Sequence, residues 1–433
     1  MGAQPPQDSG AAPSTGWEQP ARSRTPALPR AALFVVAAAV AVGIAAGWSA
    51  PATLQVAQAP TESPSPTAHG ASAPAHDGWS ERGAFPTPTG AVLVFDDGLD
   101  GVAVVDLDEG VAVRRVLEGQ RAGDQSPRLW RTGDHLIVGW GDIHAVDIHT
   151  AESHLVGEAT TAVPAAEPGH LWLVDYPGGN LGPTYRLVDL AGEVDAEWTG
   201  TAPARGSPAA GTRGGLLFET ESGVALWDAA EEEVVERFGE GSGFVGDAAG
   251  DVAVWCGDPC PALHLTGLDG HDQVIAAPEG DLVFDVRSSR LSPDGALVAS
   301  LLIGPGPSGD GHAGRVVVAD VATGEVVLTS DPLIPRPFFV AWSSDSDQLF
   351  FAAYGYGRED TDVGRWIRAT GETELATLPL GGTLDLVVLG RDEAGALLDA
   401  PASAGDRSGC PPAAMFPSGR DGPCALRWDL PGA

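Results

Sequence analysis

The sequence predicts an all-β fold, a β-propeller of seven blades, on three observations. An element made of an apolar strand, a tight polar turn and a second apolar strand recurs at intervals near 40 residues. Between residues 90 and 433, no run of ten or more residues carries the 3.6-residue apolar period that a helical repeat requires. A lone strand near the C-terminus can complete the first repeat, which would leave the ring without a free edge.

The recurring element reads Val104-Val105-Asp106, Ala145-Val146-Asp147, Leu187-Val188-Asp189 and Leu226-Trp227-Asp228 in its first four copies. It continues as His264-Leu265-Thr266, Val318-Ala319-Asp320 and a last copy centred on Ile367. The aspartate position, or its equivalent, falls at 106, 147, 189, 228, 266, 320 and 367, in steps of 41, 42, 39, 38, 54 and 47. Four short strands in about 40 residues mark a propeller blade. The two long steps hold insertions of loop composition, Gly304 to Gly314 and Gly355 to Gly364. Residues 90–117 supply three strands, and Thr383 to Leu389 is the fourth that closes the first blade. Two further strand-like runs follow, GALLDAP (395–401) and CALRWDL (424–430), and they leave an eighth partial blade open.

Leu291-Ser292-Pro293-Asp294-Gly295 resembles the strand start of TolB-like and WD40-like propeller repeats, and Trp342-Ser343-Ser344-Asp345 resembles the same start one blade later. The resemblance spans residues 90–390, with these two blades the closest to it. It implies a propeller, and a fold by itself implies no function.

Residues 31–48 (AALFVVAAAVAVGIAAGW) are eighteen positions without a charge, the lower end of what spans a bilayer as a helix. Arg22, Arg24 and Arg30 precede them and no arginine follows before Arg82. That bias places residues 1–30 in the cytoplasm as a disordered segment and the remainder outside the cell membrane. The alternative is cleavage after Ala52 and a secreted protein. Residues 49–89 are a Pro-, Ala-, Ser- and Thr-rich linker whose reach as a coil is about 35 Å. Residues 90–433 are then the propeller, with a disulfide-bearing tail.

The chain of 433 residues carries 24 basic residues, all arginine, against 59 acids, a formal charge of −35. Such a surface repels phosphate, which excludes nucleic-acid partners and a polybasic grip on anionic lipid. With 43% hydrophobic residues the chain is no acidic disordered tail.

Four cysteines, on the oxidising side of a membrane, pair as disulfides: Cys256 with Cys260 across Gly-Asp-Pro, and Cys410 with Cys424. A four-cysteine zinc site would want C-x2-C spacing, which is absent. His135, His144, His149 and His154 lie within twenty residues, but strand alternation sends His144 and His149 to opposite faces, so rim positions are expected rather than a metal. No serine has glycine at both −2 and +2, so the hydrolase elbow is missing. The expectation is therefore a non-catalytic, monomeric binding platform at the cell surface, without cofactor or metal, taking a protein or glycan ligand. A secreted glycan-active hydrolase or lyase and a sensor ectodomain are the alternatives. The expected contact surface is the pair of insertions with His312, Tyr354, Tyr356 and Arg358.

Overall fold

The computed structural model describes residues 85–96, 101–116, 128–176, 182–199 and 208–399, the last stretch with breaks of six residues or fewer, and 425–427. They form seven antiparallel sheets arranged as blades. Blade 1 takes its inner strand, Leu386–Gly390, from the C-terminal region and its next three, Ala91–Asp96, Gly101–Asp106 and Val111–Val116, from the start. Blade 2 comprises Arg128–Thr132, His135–Asp147 and Ser153–Ala159, and blade 3 Thr161–Pro164, His170–Asp175, Thr184–Asp189 and Val194–Thr199. Blade 4 comprises Pro208–Thr212, Gly215–Thr220, Gly223–Asp228 and Glu233–Phe238, and blade 5 Gly243–Ala249, Val252–Gly257, Ala262–Gly267 and Asp272–Ala276. Blade 6 is built from Val283–Leu291, Leu297–Pro305, His312–Asp320 and Val326–Thr329, and blade 7 from Phe339–Trp342, Gln348–Tyr354, Thr361–Ile367 and Thr373–Leu378.

Blade 2 has a strand of thirteen residues where others have two short ones. Extended, His135 and Asp147 would stand about 40 Å apart. Instead His135 Nε2 lies 3.8 Å from Asp147 Oδ2, and Ile148 N–H donates to Asp134 O at 3.0 Å. The run therefore doubles back, at Gly139 (φ 143°) and Gly141 (φ 83°), where only glycine is at ease. Blade 2 too has four passes.

Seven hydrophobic clusters lie one between each pair of neighbouring blades, which is what closes the ring. Leu93 and Phe95 pack with Phe350 and Val363 of blade 7, while Val92 and Val94 on the opposite face pack with Leu136 and Val138 of blade 2. Blades 2 to 7 repeat the scheme. Middle strands are thus buried on both faces, so they read as continuous apolar runs rather than alternating ones.

The recurring aspartate ends the third strand, and its carboxylate holds the turn to the outer strand. Asp147 Oδ1 accepts from the N–H groups of His149 and Thr150, both at 2.8 Å. Asp106 Oδ1 does so for Asp108 and Glu109, and Asp320 Oδ1 for Thr323 N–H and Oγ1. Such side-chain caps explain why Asp recurs where a turn must form. The fourth residue beyond that position is left-handed: Gly324 (φ 70°) and Gly371 (φ 72°), but Ala151 (φ 59°) in blade 2. No atom would crowd a Cβ at Gly371. Gly371→Ala is therefore expected to cost about 1 kcal/mol through backbone strain alone, and Ala151→Gly to stabilise by somewhat less. Urea midpoints of the two variants check both signs.

The two matched strand starts fold alike. Ser292 Oγ donates to Asp294 Oδ1 at 2.6 Å and accepts from Leu297 N–H at 2.9 Å; Ser343 Oγ does the same with Asp345 Oδ1 and Gln348 N–H. Gly295 (φ 69°) and Ser346 (φ 65°) take the left-handed place. Ser346 tolerates it while its Oγ accepts from Asp294 N–H across the blade boundary at 3.0 Å. The hydrogen bond from Ser292, then Arg368 at 2.7 Å, pulls the Asp294 carboxyl down to about 2.

Several expectations need correcting. The run 395–401 is not a strand: Gly395–Leu398 is one helical turn, and Ala394 and Leu397 are buried between blades 1 and 2. The run 424–430 starts no eighth blade; Ala425–Arg427 pairs with Val111–Val113 as a fifth strand of blade 1. The insertions are shorter than their composition suggests, because the flanking strands of blade 6 extend to Pro305 and from His312, and blade 7 resumes at Thr361. The linker boundary also moves, since residues 85–89 pack on the propeller. Residues 31–48 lie outside the described residues, among which no helix is long and apolar enough to cross a membrane.

Candidate binding face

The two rims of the ring differ. One holds the turns from inner to second strand and from third to outer strand, all short. There neighbouring blades are stitched together. Glu393, just past the inner strand of blade 1, accepts from Ser344 of blade 7 at 3.2 Å and pairs with Arg131 of blade 2 at 3.2 Å. Thr132 Oγ1 accepts from Gly169 N–H of blade 3, and Arg213 of blade 4 pairs with Asp251 of blade 5 at 3.1 Å. Asp247 of blade 5 accepts from Leu291 N–H of blade 6 at 2.8 Å, and Asp294 of blade 6 pairs with Arg368 of blade 7. Burial pushes the Asp247 carboxyl upward, against the pull of Arg290 and of its two backbone donors.

The opposite rim holds the connections from second to third strand and from each blade to the next, where the long loops lie. His312 begins the third strand of blade 6 and Tyr354 ends the second strand of blade 7, so both backbones reach this rim in adjacent blades. Tyr356 and Arg358, in the connection after Tyr354, lie outside the described residues. The disulfide Cys256–Cys260 forms, at the same rim of blade 5, and Cys260 O accepts from Phe284 N–H of blade 6 at 2.8 Å. Cys410 and Cys424 lie outside the described residues.

The long-loop rim also carries a groove that sequence reasoning missed. It is an open depression of about 760 Å³ between the outer parts of blades 2 and 3. Its floor is organised by Arg186, whose Nη2 donates to Asp175 Oδ2 and to Glu158 O, both at 2.7 Å. Thr160 N–H donates to Asp175 Oδ1 at 3.1 Å, locking the blade connection to the second strand. The Glu158 and Glu197 side chains and the exposed Tyr176 line the rest. A faint signal existed in Tyr176-Pro-Gly-Gly, the start of a longer connection than blades 2 and 4 have, but the partners come from two blades.

The four clustered histidines do not converge on one point, although the His135 and His154 rings meet edge-on at 6.4 Å and His154 lies near His144. His135 faces Asp147, His149 faces Asp134 at 3.7 Å, and His154 Nε2 meets Leu190 O of blade 3. His144 is buried, with no hydrogen-bond partner on Nε2; desolvation lowers its pKa, with His154 adding and Asp142 opposing. Among the described residues no three His, Cys, Asp or Glu side chains are placed to hold a metal ion.

No protein-family profile matches the chain, and no curated protein sequence does. Solved structures similar to it include Hsv2 of Kluyvelomyces marxianus, at 12% identity and a TM-score of 0.40, with 55% of this chain and 76% of that one covered. Apo AztD of Citrobacter koseri is similar at 13% identity and a TM-score of 0.41, with 69% of this chain and 97% of that one covered. At such identities the likeness is one of fold alone.

Proposed function

We propose that this chain is a non-catalytic binding platform held outside the cell membrane by residues 31–48, and that its long-loop rim engages a protein or glycan partner. The observation that supports this most is the asymmetry of the rims: one is stitched shut by ion pairs, while the other carries the groove and the long connections of blades 3, 6 and 7. Binding residues concentrate on loops that a rigid scaffold positions. The exposed carboxylates of Glu158 and Glu197 favour a partner surface that presents arginine or lysine. A non-catalytic reading is supported by two carboxylates that are committed to structure, Asp247 to Leu291 N–H, and Glu219 to Val245 N–H and Arg287. The turns at Ser292 and Ser343 support kinship with TolB-like and WD40-like repeats.

A photo-reactive residue placed at Tyr356 or Arg358 in the cell-bound protein is expected to capture a discrete partner. The same residue at Thr323, in a turn on the stitched rim, is expected to capture none. Equal capture at both places would reject a one-faced platform.

A further inference from the structure

The six residues before the first strand, composed like a linker, are held by a buried arginine on the far side of the ring closure. Arg365, in the third strand of blade 7, is 1% exposed. It pairs with Glu374 on the outer strand of its own blade. Beyond Glu374 and a 3.3 Å contact from Nη1 to Gln348 Oε1 in its own blade, its donors go to residues that precede blade 1: Nη1 to Pro88 O at 3.0 Å, and Nη2 to Thr87 O at 3.1 Å and to Thr87 Oγ1, while Nε has no partner. The guanidinium lies 5.2 Å from the Phe85 ring centroid, and that ring meets Phe350 edge-on at 6.2 Å. Gln348 Nε2 donates to Thr89 O at 2.9 Å. The same segment is fastened to blade 1, where Asp108 accepts from Thr89 N–H at 2.7 Å and Gly90 N–H at 2.8 Å, and Arg391 N–H donates to Gly90 O.

The closure of this ring is not covalent. Among the described residues, blade 1 joins its N-terminal strands to the C-terminal part of the chain by pairing of Leu386–Gly390 with Ala91–Asp96 and of Ala425–Arg427 with Val111–Val113, by the ion pairs of Arg391 with Asp106 and Glu109, and by side-chain packing. Burying an arginine charge is costly unless each donor is satisfied, and here residues 85–88 supply much of that satisfaction. Without them Arg365 would keep Glu374 and Gln348 but lose three oxygen acceptors and its aromatic cover.

We infer that residues 85–90 are a strap, held by Arg365, that locks the ring closure. Gln348 begins its strand, Glu374 lies near the start of its own, and Asp108 and Arg391 lie in turns, all at the stitched rim. Residues 85–90 therefore lie toward the stitched rim, opposite the long loops. The inference stands on these contacts alone, whether or not residues 31–48 stay in a membrane.

The test is amide hydrogen exchange on the full chain carrying Phe85→Ala with Thr87→Ala, which leaves the Arg365–Glu374 pair in place. Exchange in Leu386–Gly390 and Ala91–Asp96 is expected to quicken about tenfold or more, while Val252–Gly257 in blade 5 stays within about twofold of the unsubstituted protein. Unchanged exchange at the closure, or equal acceleration in blade 5, overturns the strap. Should the double variant fail to fold, Phe85→Ala alone is read by the same criterion.

Discussion

Gly246→Ala is expected to destabilise the propeller by about 3 kcal/mol, far more than any alanine placed in a turn. Gly246 lies on the inner strand of blade 5 beside the inner strand of blade 6. A Cβ there would overlap the backbone oxygen of Val286 and lie 2.8 Å from Ser289 Cβ. Neither can step aside cheaply, because the crowded atom is main chain and Ser289 Oγ is committed to Ser300 Oγ at 2.8 Å. Sliding the strand outward would break the hydrogen bond from Leu291 N–H to Asp247, the next residue. Overpacking at a yielding site costs about 1–3 kcal/mol, and losing a hydrogen bond to a carboxylate adds roughly 1.5–3. Part of the clash relaxes at the expense of that bond, so the two costs do not add in full and the total lies toward the lower end of the combined range. The measurement is the urea midpoint of Gly246→Ala beside Gly371→Ala, whose cost is strain alone. If the two variants unfold at the same midpoint, close approach of the inner strands is not what holds the ring.

The residues that announced the fold did so for reasons now visible. Asp106, Asp147, Asp189, Asp228 and Asp320 recur because a carboxylate at the end of the third strand caps the turn that follows. That requirement is local, so it leaves a regular mark in the sequence. Strands such as Val102 to Val105 or Leu171 to Val174 are buried on both faces between blades, so they stand out as unbroken apolar runs. Closure through Leu386–Gly390 was legible because a strand without neighbours must find an edge. What stayed hidden depends on partners remote in sequence. Phe85-Pro-Thr-Pro has the composition of a linker, and only Arg365, 277 residues after Pro88, makes it part of the ring. Gly395 to Leu398 opens a short apolar run that looks like a strand, yet Leu397 is buried between two blades and the chain makes a helical turn there. The groove needs Glu158 from one blade and Asp175, Arg186 and Glu197 from the next. Nothing local forces those residues to be acidic or basic.

Stability is expected to fall as the pH drops below about 6.5, and His144 is expected to be a principal cause. The imidazole is 3% exposed in blade 2, with no partner on Nε2. Desolvation is the largest influence on it and disfavours the charged form; nearby His154 acts in the same direction, and Asp142 only partly opposes them. Its pKa in the fold therefore lies below the 6.5 of an unfolded chain. Above pH 6.5 the ring is neutral in both states and contributes no pH dependence. As the pH falls, the unfolded chain takes up a proton that the folded chain refuses, so stability drains away until the folded pKa is reached. Each unit of depression is worth about 1.4 kcal/mol at that limit. His144→Leu keeps the site filled and apolar, so it is expected to equal or exceed the unsubstituted protein in stability at pH 5.5. Its midpoint should also depend less steeply on pH between 7.5 and 5.5. The histidines that face carboxylates, His135, His149, His170 and His264, are present in both proteins and cancel in the difference. Urea midpoints at pH 7.5, 6.5 and 5.5 for the two proteins decide it. An unchanged slope in His144→Leu would mean that the buried ring accepts its proton in the fold as readily as in the open chain.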